Sequence, residues 1–154
     1  MKTRRRETGP FRDPGVSADP KLSGRTAAVK VWIEAMPAAV AEPFSARNSS
    51  APIAVLYKVM DKIFAILSFR RIENVILKCD PLLVRILRER YAGIGHRSHL
   101  DRRYWISVTL DADVPSKEIK RLVTQSYDLV CGKLSAKQKA ELARLMSKNA
   151  GVRN

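Results

Sequence analysis

Two pairs of adjacent arginines, Arg70-Arg71 and Arg102-Arg103, are the side chains in this 154-residue chain best suited to hold a polyanion. A guanidinium group forks onto phosphate oxygens through two parallel donors. The second pair runs into Tyr104-Trp105, and an indole beside a phosphate-binding turn can stack on a nucleobase. A second reading of the segment stands beside the first: Asp101 serves the turn, the arginines are solvated and Trp105 covers a sheet. Just upstream, Arg97 and His99 add further phosphate donors. His96 and His99 lie three apart, so a strand would place them on opposite faces. With no acidic or thiol partner they predict no metal site. Cys79-Asp80 sets a thiol beside an acid, but nucleophilic catalysis needs a base within hydrogen-bonding reach and none is supplied locally. Helix capping by Asp80 ahead of Pro81 explains the acid, and a strand end explains the thiol. A glycine-rich phosphate loop, a paired-carboxylate signature and a nucleophile elbow are all missing from the sequence. The chain therefore predicts no catalytic residue, no cofactor and no enzyme.

Charge points the same way. The chain carries 29 basic and 15 acidic residues, a formal net charge of +14. Residues 1–25 hold 7 basic and 3 acidic side chains, net +4, and residues 133–154 hold 6 and 1, net +5. The long middle segment is only as basic, at net +5, so the excess is concentrated in the ends. Such ends favour polyanions, whereas the middle reads equally well as a solvated surface. No apolar run reaches the length of a membrane span and no secretory signal is visible, which predicts a cytoplasmic protein with no membrane partner. Cys79 and Cys131 match no zinc or redox spacing and read as structural thiols.

The elements that must position these residues follow from periodicity. Residues 1–25 mix proline, glycine and charge with few large apolar side chains, which predicts a disordered arm with Arg4-Arg5-Arg6 as an electrostatic hook. From Thr26, Val29, Trp32, Ile33 and Met36 fall on one helical face, and Pro37 ends the run. Residues 38–52 read as a loop. Strands are expected over 53–59, 62–69 and 72–79, the first two joined by a tight turn at Met60-Asp61, where Asp tolerates a positive φ. Arg70 and Arg71 then occupy the next turn. Asp80-Pro81 starts a helix whose apolar side ends near Tyr91, with Gly93 as its stop, and whose Arg85, Arg88 and Arg90 read as a solvated face. Strands at 97–100 and 104–110 and a helix from Pro115 complete the domain. The last helix buries Ile119, Leu122, Val123, Ser126, Tyr127 and Val130. Ser135 with Gln138 forms a capping-box pattern for a further helix to about Ser147, whose thin apolar stripe suits weak packing or a protein partner.

Helix, three strands, helix, two strands, helix and an added C-terminal helix predict a two-layer α+β domain at 26–134, an antiparallel sheet with helices on one face. Residues 135–154 form a basic extension.

The order and spacing of Leu77-Lys78-Cys79-Asp80-Pro81, Tyr91-Ala92-Gly93-Ile94, His99 to Trp105, Leu110-Asp111, Val114-Pro115 and Ser126-Tyr127-Asp128-Leu129-Val130 resemble the MmcQ/YjbR family. These are small bacterial α+β proteins usually described as DNA-binding, with a layout shared by secretion chaperones. The resemblance implies a double wing, two β-hairpin loops approaching a duplex, for which Arg70-Arg71 and Arg102-Arg103 are the available basic turns. The family typically has Asn, Lys and His where this chain has Asp101, Arg102 and Tyr104. Together these readings predict a non-enzymatic protein that contacts nucleic acid, duplex DNA in the first instance, with no small-molecule substrate. The competing class is a protein-interaction module.

Overall fold

A computed structural model describes residues 23–47 and 49–153. The expected disordered arm thus falls outside the described residues up to position 22. Helix α1 (Gly24–Glu34) begins immediately after Ser23, whose side chain accepts from the Thr26 N–H as an N-cap. Four strands follow: β1 (Val40–Ser45), β2 (Pro52–Val59), β3 (Lys62–Ser68) and β4 (Asn74–Lys78). Helix α2 (Pro81–Arg90), strands β5 (Ile94–Gly95) and β6 (Trp105–Thr109), and helices α3 (Ser116–Gly132) and α4 (Ala136–Arg153) complete the order.

The six strands form one antiparallel sheet in the order β1-β2-β3-β4-β6-β5, the α+β architecture that the sequence predicts. Alternation decides which face is dry. Val55, Leu67, Val75 and Val108 stand side by side across four strands, with Tyr57, Ala65, Leu77 and Ile106 in the next row. All eight are buried in the main core. Helix α3 lies over β2, β3 and β4 with α1 beside it, and α2 meets β5. The stripe on α3 that the sequence marks, Ile119 to Val130, is buried at all six positions. Tyr127 sits in the core as expected, its ring edge-on to Phe64 at 5.2 Å and its hydroxyl donating to the Pro37 carbonyl at 2.6 Å.

Several expectations give way. Residues 38–52 are not all loop, because β1 pairs along β2. Every residue of β1 is exposed and Pro43 sits within it, which is tolerated at a sheet edge whose outer donors face water. No strand covers 97–100; β5 is only Ile94–Gly95, and the chain then runs as a nine-residue loop to β6. Trp32 is half-buried rather than central. Helix α1 turns Thr26, Val29 and Ile33 inward, which leaves the indole on its flank with the Lys120 ammonium 5.9 Å from the ring centre. The hairpin at Met60-Asp61 does have the left-handed backbone its turn needs, with φ of 49° and 67°. The capping box also forms: the Ser135 hydroxyl accepts from the Gln138 N–H while the Gln138 side chain accepts from the Ser135 N–H. No helix among the described residues is long and apolar enough to cross a membrane.

Gly93 has a different role from the helix stop expected of it. Helix α2 is capped at Tyr91 in an extended conformation, and Gly93 has no positive φ. Its backbone is instead pinned: Asp113 accepts from the N–H groups of Ala92 (2.8 Å) and Gly93 (2.7 Å). These bonds hold the Asp113 carboxyl below its ordinary pKa. A Cβ on Gly93 would meet Ala112 Cβ at 2.8 Å and Asp113 Oδ1 at 3.0 Å. Gly93→Ala should therefore destabilise by about 1–3 kcal/mol through overpacking, read as a lower urea midpoint with an unchanged m-value.

Candidate nucleic-acid interface

Five of the sequence-selected residues, Arg97, His99, Arg102, Arg103 and Trp105, lie on the β5–β6 loop or at its exit into β6. What holds this loop is Arg88. Helix α2 buries Val84 and Leu87, which carries the next side chain, Arg88, towards the loop. Its Nε and Nη2 both approach the Gly95 carbonyl at 3.4 Å, Nη2 also donates to Trp105 O at 3.3 Å, and Nη1 donates to Arg102 O at 3.1 Å. Arg88 is therefore not part of a solvated face. Burial and the neighbouring Arg102 charge press its pKa below the usual guanidinium value. A planar fork reaching three carbonyls cannot be imitated by an ammonium. Arg88→Lys should behave like Arg88→Ala, each costing about 0.5–1.5 kcal/mol for hydrogen bonds lost in a partly exposed site and each speeding amide exchange across 96–104.

Within the loop, His96 Nε2–H donates to the Leu100 carbonyl at 3.1 Å, and His99 takes a left-handed φ of 74°. The backbone thus turns where a strand was expected. Asp101 does serve the turn: its Oδ1 accepts from the Arg103 N–H at 2.9 Å. It also receives the Arg103 side chain, Nε at 3.1 Å and Nη2 at 2.9 Å, while the guanidinium lies 5.2 Å from the Tyr104 ring centre. These bonds lower the Asp101 pKa and raise that of Arg103. Arg103 is thus occupied. Arg102 is not: its side chain is exposed and makes no hydrogen bond or ion pair with another described residue, although its own carbonyl is fixed by Arg88.

Arg70 and Arg71 form the β3–β4 turn, exposed, with Arg71 at φ 59° and the Ile72 N–H returning to Arg70 O at 2.6 Å. Register separates them from the other pair. Asn74 faces Thr109 and Lys78 faces Trp105, so the two basic turns leave opposite ends of the β4–β6 ladder. Four strand steps, about 14 Å, separate those ends before either turn begins. The structure does not bring the two wings together.

Three cations that sequence reasoning passed over do stand beside Trp105. Lys62, Lys78 and Lys133 line one cleft with it, about 420 Å³ in volume. A signal existed for one of them. Lys78 follows the buried apolar run Val75-Ile76-Leu77 at the end of β4, where a charged residue must point into water or towards a ligand. Nothing in the spacing of Lys62 and Lys133 announces their convergence.

Cys79 is a free, buried thiol just past the end of β4. Burial, with help from the Asp80 charge, pushes the Cys79 thiol up to about 11, so it remains protonated at neutral pH. Among the described residues no group of three or more His, Cys, Asp and Glu side chains could hold a metal ion.

A family model described as YjbR matches residues 34–129. Two curated relatives, both described as "Uncharacterized protein YjbR" and found in Escherichia coli strains K12 and O157:H7, are each 32% identical over 95 residues. The match spans 60% of this chain and 79% of either relative. The fold resembles the crystal structure of Deinococcus radiodurans protein DR2400, described as a DUF419 domain, with a TM-score of 0.65 and 24% identity over 76% of this chain and 86% of that one. It also resembles the crystal structure of a Pseudomonas syringae protein, with a TM-score of 0.54 and 23% identity over 70% and 98% of the two chains.

Proposed function

This chain belongs to the YjbR family, and from that premise we propose that it is a non-enzymatic DNA-binding protein that grips the duplex mainly through its phosphates. The observation that carries the reading is Arg102. Its guanidinium has no partner among the described residues while its backbone carbonyl is held by Arg88, so the loop backbone is already ordered and only the side chain has to be ordered on contact. Arg97 and His99 stand on the same loop, Arg70 and Arg71 project from the far end of the sheet, and the net charge of +14 supplies long-range attraction. Phosphate contacts of this kind fix register and orientation without reading sequence.

The test is a salt titration of duplex binding by the full chain. Each phosphate neutralised contributes about −0.9 to the log–log slope on duplex DNA. A slope of about −3 or steeper, similar for unrelated sequences, is the expected result. Absent binding at low salt, or binding indifferent to salt, would overturn the reading. The competing class, a protein-interaction module, then gains from β1, the edge strand of the sheet among the described residues, which exposes Val40 (61%) and Phe44 (55%) along that edge.

A further inference from the structure

The cleft beside Trp105 is a consequence of how β3 and β4 part. Their pairing stops at Ala65 and Leu77. Beyond it, the next backbone groups no longer reach one another, and the Ser126 hydroxyl stands between them, donating to Phe64 O at 2.6 Å and accepting from Lys78 N–H at 2.8 Å. The strands therefore splay at this end of the sheet. Lys62 and Ile63 stay on the β3 side, Lys78 and Trp105 on the β4–β6 side, and Val130 and Lys133 of α3 and its C-terminal cap complete the walls.

We propose that this cleft binds a nucleotide unit, with the phosphate held by Lys62, Lys78 and Lys133 and the base stacked on Trp105. The size of the space, about 420 Å³, is that of a small-ligand pocket. Its chemistry is mixed in the manner such a ligand requires. Three ammonium groups make no ion pair with any described residue, and together they can neutralise a phosphate. Trp105 is half-buried in the lining, and its indole offers the planar surface on which any base can stack, worth roughly 1–3 kcal/mol per base by truncation. Ile63 and Val130 give an apolar surround. Asp61 is the single acidic group among the described lining residues, and its carboxylate suits a sugar hydroxyl rather than the phosphate. Asp61 sits in the left-handed β2–β3 turn, with φ of 67°. The choice of a nucleotide among aromatic anions rests on the nucleic-acid reading. The same unit can come from a free nucleotide or from an unpaired base at the end or in the interior of a strand.

The chain contains two tryptophans, so Trp32→Phe leaves Trp105 as the sole indole reporter. In that background, using the full chain, emission is followed on titration with adenosine diphosphate, inorganic phosphate, a single-stranded oligothymidylate and a blunt duplex. Saturable quenching by adenosine diphosphate or the oligothymidylate is expected, with inorganic phosphate competing but not quenching. Lys78→Met retains the apolar stem of that half-buried side chain and should weaken nucleotide binding about tenfold, the scale of one lost charge-assisted hydrogen bond. Lys139→Met, on α4 outside the lining, should change nothing. Tighter binding of the oligothymidylate with the same Lys78 dependence assigns the cleft to a strand; quenching by the diphosphate alone assigns it to a free nucleotide. Absence of saturable quenching by either probe up to about 5 mM, or quenching indifferent to Lys78→Met, overturns the proposal. Duplex binding that persists without quenching removes the cleft alone, whereas quenching without duplex binding removes the DNA reading alone.

Discussion

Ser126→Ala is expected to destabilise the protein by about 3 kcal/mol, a large effect for the loss of one oxygen atom. Ser126 is fully buried, and its hydroxyl satisfies the Phe64 carbonyl and the Lys78 N–H at the point where β3 and β4 separate. Alanine leaves both backbone groups without a partner, and each costs about 1–3 kcal/mol when stranded away from water. The opposing term is small, since alanine improves helix propensity at an interior position of α3 by about 0.5 kcal/mol. The desolvation term therefore wins. Thr124→Ala is the matched control: its hydroxyl bonds the Lys120 carbonyl on the exposed side of the same helix, where substitutions usually fall within about 0.5 kcal/mol of neutral. Urea unfolding of the two variants measures the difference, and amide exchange at Lys78 should accelerate in Ser126→Ala alone. A loss below about 1 kcal/mol would mean that water already reaches the splay and supplies those bonds.

Ser126 also marks the boundary of what the sequence discloses. Its place in the buried stripe of α3 follows from a 3.6-residue period over 17 residues, and such a signal survives because one face of a helix must be apolar. Local chemistry made other features legible in the same way: Asp80-Pro81 at the start of α2, Ser135 with Gln138 at α4, and Asp61 in a left-handed turn. What Ser126 does there was not legible, since its partners Phe64 and Lys78 are 62 and 48 residues away. β1 leaves no periodic signal, because a strand exposed along its whole length carries no alternation. The segment 97–100 has a strand-like sequence but a conformation imposed from outside. Arg88, on another element, holds the carbonyls of Gly95, Arg102 and Trp105 around it.

The site residues divide along the same line. The arginine turns were visible as pairs, but their placement at opposite ends of the sheet depends on register between β4 and β6. The occupation of Arg103 by Asp101 depends on side-chain geometry within the turn. Lys62, Lys78 and Lys133 come from three different elements and meet only because two strands part. Convergent cations of this kind leave no periodic trace in a single sequence.

The largest functional effects should come from the arginine turns, and the geometry ranks them. Arg102→Ala removes a free cation from an anchored loop and should make the duplex salt slope shallower by about 0.9, which is about fivefold in affinity at 0.15 M salt. The double variant Arg70→Ala with Arg71→Ala should lose up to about 1.8 in slope if both side chains reach phosphate. Additive losses in the triple variant would place both ends of the sheet on one duplex; a loss confined to Arg102→Ala would leave the β5–β6 end as the sole contact. Arg103→Ala should matter less than Arg102→Ala, because Arg103 is held by Asp101 and rests on Tyr104. Asp101→Asn reverses that ranking. The amide oxygen can still accept the Arg103 N–H that shapes the turn, while the negative charge that occupies the guanidinium is gone. Duplex binding should then tighten about fivefold at 0.15 M salt, with a slope steeper by about 0.9, and adding Arg103→Ala should cancel the gain. The exposed Asp101–Arg103 pair contributes little to folding, so Asp101→Asn should leave stability nearly unchanged and the binding effect uncontaminated. Unaltered affinity and slope in all of these variants, with the fold intact, would move the DNA contact away from both turns.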